Sequence, residues 1–331
     1  MKTKETMTPA VKQERRAFKW AGTHTGLGAL VYLAVMGAIG SIASVIVMFQ
    51  GLLGMSPEQL RQLSVTDLMN LAMNDPIIGL ATLLGCVFGA LAVSLLFIRG
   101  GTHKELFKKG KKMTVLKFLG LMSVLYLFAT IGSEIYNIFE RELNFFGLST
   151  AVGLEMASGT TTSVVMALAM GIVGPIAEEL VFRGFLLRRL EKKGKVLAIL
   201  VTSLLFGLVH GNLPQVFFAT MIGLVLSYIA MEYSIIWSIV LHIFNNLILC
   251  EVAGLVFGEG TVRHVFDLSF TVITAVVGIA VLVKNAKPIV AWIRNNMCKK
   301  SELVWTLTGW GMIVSIAYMV IQTIATLLMI G

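Results

Sequence analysis

Charge is the first thing this chain is short of. Only 14% of its 331 residues are charged, while 56% are hydrophobic and the mean hydropathy is +0.85. Soluble domains carry about 25% charged residues, so an ordinary soluble protein is excluded and an integral membrane protein is indicated. Proline is scarce too, with six residues, and no long polar insert interrupts the apolar text, which argues against a separate soluble domain. The three cysteines, Cys86, Cys250 and Cys298, form no pair with metal or redox spacing. No His-Glu-x-x-His sequence is present, no repeat of fixed period recurs, and there is no low-complexity tract.

What the chain has is long apolar runs. They fall at 27–52, 77–99, 118–139, 161–187, 196–212, 215–231, 235–255, 268–283 and 304–330. Each reaches or approaches the roughly 17–25 residues a helix needs to cross the hydrocarbon. The fold class expected is therefore all-α, a polytopic membrane protein of about nine transmembrane helices in a single membrane domain, 1–331.

Acidic residues number 18 against 27 basic ones, and the basic ones are not scattered. Alternating the nine runs places residues 1–26, 99–117, 183–195 and 284–300 on one side, and these hold 24 of the 27. The positive-inside rule makes that side cytoplasmic, with the N-terminus in and the C-terminus out, in the cell membrane. The net charge of +9 is then topology with some attraction to anionic lipid, and nucleic acid is not an expected partner. Ser56-Pro57-Glu58-Gln59 opens a short outer-surface helix ending near Asp75, and 284–300 reads as an amphipathic helix on the cytoplasmic face.

Against this apolar background, Glu178 and Glu179 stand out. They sit with Arg183 inside the fourth run, just after Gly174-Pro175, whose proline can bend the helix. A charge in hydrocarbon costs at least about 2.5–3.5 kcal/mol, so such groups face a protein interior or a wet cavity. Glu178 lies roughly 15 Å from the cytoplasmic rim, His242 roughly 11 Å and His210 roughly 22 Å, so three helices bring polar groups toward mid-bilayer. Glu179 and Arg183, four apart with the acid first, suit a helical ion pair, leaving Glu178 free to take a proton. His242 and Asn246 are also four apart and can address one oxygen, and Phe206 shares a face with His210. A buried carboxylate can serve as a base near neutral pH, with a histidine to relay the proton and donors for the oxyanion. The set suits hydrolysis of an amide by water, with no serine or cysteine nucleophile. Glu134, Glu232 and Glu251 fall near span ends, and His24, His103 and His264 in loops, so none of them joins the candidate site.

In order, Glu178-Glu179-Leu180-Val181-Phe182-Arg183, Phe206-Gly207-Leu208-Val209-His210 and His242-Ile243-Phe244-Asn245-Asn246 resemble the motifs of the CAAX-processing and bacteriocin-processing (CPBP, or ABI) intramembrane endopeptidases. The resemblance covers 174–246 and implies a helical catalytic core, 161–256, around an intramembrane cavity reached from the cytosol. Glu178 and His210 would activate the water, His242 and Asn246 would form the oxyanion site, and Glu179 and Arg183 would support them. Neither cofactor nor metal is implied. Eukaryotic members cut the last three residues from prenylated proteins, and bacterial relatives have diverse roles that include bacteriocin self-immunity. The expected substrate is thus a peptide or lipidated protein in the membrane. The flanking helices, 27–139 and 268–330, lie outside the motifs. Three alternatives stay open: a zinc peptidase using His210, His242 and a glutamate, a proton-coupled transporter, and an inactive relative acting in binding or immunity.

Overall fold

The computed structural model describes residues 8–53, 75–97, 105–151, 153–154, 163–258 and 260–329, with a few isolated positions between them. Eleven helices account for nearly all of these. They are α1 (Pro9–Leu53), α2 (Pro76–Phe97), α3 (Val115–Phe145), α4 (Val164–Glu191), α5 (Lys195–Leu208) and α6 (Leu213–Glu232). Then follow α7 (Ile235–Phe257), α8 (Thr261–Lys284), α9 (Ala286–Asn296), α10 (Lys300–Leu307) and α11 (Trp310–Ala325). A two-residue antiparallel pair, β1 (Leu148–Ser149) with β2 (Leu328–Met329), ties the end of α3 to the residues after α11.

Polar residues in apolar text mark the helix starts. The Thr114 hydroxyl accepts from Lys117 N at the head of α3, Ser163 caps α4, and Asn212 caps α6 with Pro214 in its first turn. Each satisfies a backbone donor that an uncapped end leaves orphaned.

Among the described residues seven helices are long and apolar enough to span a bilayer: α1, α2, α3, α4, α6, α7 and α8. An eighth span forms if α10 and α11, which meet at a bend of 70°, are taken as one broken helix. The expected runs are helical over most of their described residues, but the ninth is broken at 308–309, and α5 has only 14 residues, about 21 Å, against a core of about 30 Å. The helix ends at Leu208, before the Val209-His210-Gly211-Asn212 turn that the expected run includes. The protein is thus a multi-pass, essentially all-helical membrane protein of seven or eight full spans among the described residues.

Two smaller expectations change. The basic N-terminal segment is helical from Pro9 and continuous with the first span, so His24 lies in α1. His264 lies in the first turn of α8, not a loop. His103 and most of the proposed surface helix at 56–76 fall outside the described residues. The amphipathic segment is found as α9.

Helix α1 packs closely on α10 and α11 through glycine. A Cβ on Gly22 would stand 2.0 Å from the Thr306 carbonyl oxygen, and one on Gly26 would stand 2.6 Å from Met312 Cα. Two glycines four apart let backbones approach as membrane helix pairs commonly do. The N-terminal part of α1 is thereby fixed beside α4, where the Arg189 guanidinium lies 4.3 Å over the Trp20 ring.

At the same end of the molecule Glu232 gathers four segments. Its carboxylate accepts from Lys111 Nζ at 2.7 Å, Lys195 Nζ at 2.8 Å and Trp292 Nε1 at 3.1 Å. The hydrogen bond to Glu232 raises the Lys111 pKa above its ordinary value. A lysine raised in the folded state adds stability in full below its unfolded pKa of about 10.4, and this is lost as pH rises through the folded value. The thermal midpoint should therefore fall more steeply above about pH 10.4 in wild type than in Glu232→Gln. Because Lys111 is largely exposed, the pair itself contributes on the order of 1 kcal/mol or less.

Candidate active site

The Glu178–Glu179 pair lies where α4 changes pitch. Residues Glu179–Leu186 are wound as π-helix, as are Ala169–Val173 one turn earlier and Phe244–Val252 in α7. Such widened turns concentrate at functional sites. Here the three together carry Met170, Glu179, Arg183, Asn245 and Asn246.

Glu179 and Arg183 are fully buried, and Arg183 Nη1 donates to Glu179 Oε1 at 2.9 Å. The guanidinium also reaches the Gly223 carbonyl at 3.5 Å and lies 4.1 Å over the Phe206 ring. The second oxygen, Oε2, accepts from Ser238 Oγ at 2.5 Å. His242 Nδ1 stands 3.0 Å from Glu179 Oε1, and a carboxylate only accepts, so this nitrogen carries the hydrogen. The other nitrogen, Nε2, is 3.7 Å from Glu178 Oε2. One imidazole therefore bridges the two neighbouring glutamates. Glu179 holds its back, and Glu178, with 17% of its side chain exposed, meets its front.

His210 joins through Phe206. The Phe206 ring stands edge to face with His210 at 5.2 Å and with His242 at 5.7 Å. His210 Nδ1 bonds the Phe206 carbonyl at 2.8 Å, which leaves Nε2 as the basic nitrogen. Asn246 is placed differently from the shared-face expectation. Its amide donates to the Met170 carbonyl at 3.1 Å, and its oxygen accepts from Asn245 Nδ2 at 2.9 Å. The π-stretch beginning at Phe244 falls between His242 and Asn246 and widens the turn that should have aligned them.

Sequence reasoning missed Ser238, because a lone serine in an apolar run is unremarked until its partner, 59 residues away, is known. Its hydroxyl is fully buried and also lies 3.1 Å from the Leu226 carbonyl. Ser238→Ala should cost about 1.5–3 kcal/mol, the range for a hydrogen bond to a charged group. The thermal midpoint of the purified variant measures it. Among the described residues no group of three His, Cys, Asp or Glu side chains could hold a metal ion, so the zinc alternative lacks a ligand set there.

Residues 160–248 match the family of type II CAAX prenyl endopeptidases, Rce1-like. The match takes in all three motifs. That match supports a membrane protease of the CPBP family. A Bacillus subtilis (strain 168) protein named "Putative membrane peptidase YdiL" is 29% identical over 168 residues. The chain is covered over 48% of its length by that alignment, and the relative over 66% of its own, just short of two thirds. No solved structure matches it. Within the Rce1-like match fall Glu178, Glu179, Arg183, His210, His242 and Asn246, while α1, α2 and α3 lie wholly outside it.

Proposed function

We propose that the protein is an intramembrane endopeptidase that hydrolyses a peptide bond of a membrane-associated peptide or lipidated protein, using a water activated by Glu178 and His210. The observation that carries this reading is the imidazole of His242 set between Glu178 and Glu179, with Glu179 already neutralised by Arg183. Two adjacent carboxylates in one apolar helix are thereby given different surroundings. Glu179 is locked by Arg183, Ser238 and His242, whereas Glu178 is partly open and can exchange a proton.

In the reaction Glu178 takes a proton from water as the oxygen attacks the scissile carbonyl, with His210 Nε2 as a second acceptor. The C–O bond forms and the carbonyl becomes an oxyanion, which needs donors aimed at it. With both ring nitrogens carrying hydrogen, His242 donates from Nε2, and the Asn246 amide joins it after leaving the Met170 carbonyl. The C–N bond then breaks, and the proton held by Glu178 passes to the departing amine. Atoms balance with water as the only co-reactant.

The basic residues near Glu232 support a cytoplasmic location for that end, with the N-terminus in and the C-terminus out across the cell membrane. A CAAX-type substrate, prenylated at its C-terminal end, follows from the family matched. The test is cleavage of a farnesylated C-terminal peptide and of unlipidated membrane peptides by protein in proteoliposomes. Cleavage that survives unchanged in both Glu178→Gln and His210→Ala would sink the mechanism. Absence of cleavage by wild type across the panel would favour the immunity or binding alternative.

A further inference from the structure

Helix α9 carries three stripes along its length, and protein covers the first of them. Ile289, Trp292 and Asn296 follow one another at intervals of three and four and are half-buried, while every other residue of the helix is exposed. Trp292 defines this inner face. Its Nε1 donates to Glu232 at 3.1 Å, its ring stands edge to face with Tyr228 at 5.4 Å, and Lys195 Nζ lies 5.9 Å over it. Lys195 is the first residue of α5 and Glu232 the last of α6, so the middle of α9 rests on two helix ends. Its own ends run directly into α8 and α10. The helix therefore lies along one end of the bundle, at the level where the spanning helix α8 stops at Lys284.

One residue on from each inner position, and so about 100° round the axis, stand Val290, Ile293 and Met297. They are 52%, 41% and 61% exposed. Another step of about 100° brings Lys287, Ala291 and Arg294. Both cations are exposed, neither has an ion-pair partner among the described residues, and α9 contains no acidic residue. In water the apolar stripe would be uncovered, and in hydrocarbon the cations would be stranded. Both are satisfied at a bilayer interface, where aliphatic side chains enter the acyl boundary and lysine or arginine stands at headgroup level.

We propose that α9 is a seat for anionic phospholipid, with Val290, Ile293 and Met297 in the acyl boundary and Lys287 and Arg294 on the headgroup phosphates. Charge selects this occupant over a second copy of the chain. Two copies meeting through the same stripe would bring the cations of each against those of the other, and like charges oppose such a pairing. An anionic leaflet complements them instead. Lipid held on the outer stripes also keeps Trp292 on Glu232, and so steadies the node from which α5 starts. The seat is independent of the hydrolase reading.

The test uses the full chain in nanodiscs of phosphatidylcholine with or without phosphatidylglycerol. A polar maleimide should label Asn295→Cys, on the far side of the helix, at the same rate in both. Val290→Cys should be shielded, and more strongly where phosphatidylglycerol is present. Peptide mapping separates these positions from Cys298. Adding Lys287→Gln or Arg294→Gln should reduce the phosphatidylglycerol-dependent part of the shielding by about fivefold each, the scale of one cation at an anionic surface. High salt should reduce it as well. The cations are exposed and unpaired, so the double variant should match the wild-type thermal midpoint in neutral detergent and fall below it only with phosphatidylglycerol. Val290→Cys labelled as fast as Asn295→Cys overturns the proposal. So does shielding that ignores both phosphatidylglycerol and the two cations, which would mark apolar burial without recognition of charge. A midpoint lowered equally in detergent and in both nanodiscs would give the cations a purely structural role, and rapid disulfide pairing of Val290→Cys between copies would assign the stripe to a second chain.

Discussion

Arg183→Ala should destabilise the protein by about 3–5 kcal/mol, enough to prevent accumulation of folded material. Both partners of the ion pair are fully buried, and the guanidinium is among the largest side chains shielded in the core. Removing it leaves Glu179 charged with only Ser238 and His242 as donors, and it empties the space over the Phe206 ring. It also strips the Gly223 carbonyl of α6 of its side-chain donor. Arg183→Lys should recover little. An ammonium cannot bridge Glu179 and the Gly223 carbonyl in one plane or stack on an aromatic ring as a guanidinium does. The more telling comparison is Glu179→Gln with Arg183→Met, which removes both charges. Replacing a buried pair costs far less than breaking it, so the double variant should be more stable than Arg183→Ala. Thermal midpoints in one detergent measure all three, and equal midpoints for Arg183→Ala and wild type would end the argument.

The sequence displayed some of this and hid the rest for physical reasons. Hydropathy found each long apolar helix, because lipid demands the same composition wherever a helix crosses it. It overestimated α5, since the run was extended over the polar turn His210-Gly211-Asn212 to reach spanning length, whereas the helix stops at Leu208. The Glu179–Arg183 pair was legible because a four-residue spacing is local. The contacts of His242 were not, for its partner Glu179 lies 63 residues away and only the fold of α7 against α4 brings the two together. The π-stretches were equally hidden. They leave no compositional trace, yet one of them turns the Asn246 amide onto the Met170 carbonyl. Ser238 looked like an ordinary member of an apolar helix, and only its burial and its bond to Glu179 distinguish it.

Glu178→Gln should abolish turnover, by a factor of about 10² to 10⁴ for the loss of a general base, while leaving the fold intact. The side chain is partly exposed and lies 3.7 Å from His242 Nε2, so no buried charge is orphaned by the change. Glutamine matches glutamate in size and keeps an oxygen toward His242, but it cannot take a proton from water. Glu179→Gln should behave in the opposite manner. It breaks the buried pair with Arg183 and weakens the acceptor that fixes His242 Nδ1, so stability falls before activity can be judged. Neighbouring glutamates should thus give opposite phenotypes, one losing chemistry at full stability and the other losing stability itself. The measurement is paired: thermal midpoint and peptide cleavage for each variant in the same proteoliposomes. Had the two carboxylates been interchangeable, as in a symmetric acid pair sharing one proton, both variants would lose similar amounts of both. The asymmetry originates in Arg183, which lies one helical turn from Glu179 and can neutralise only that member of the pair.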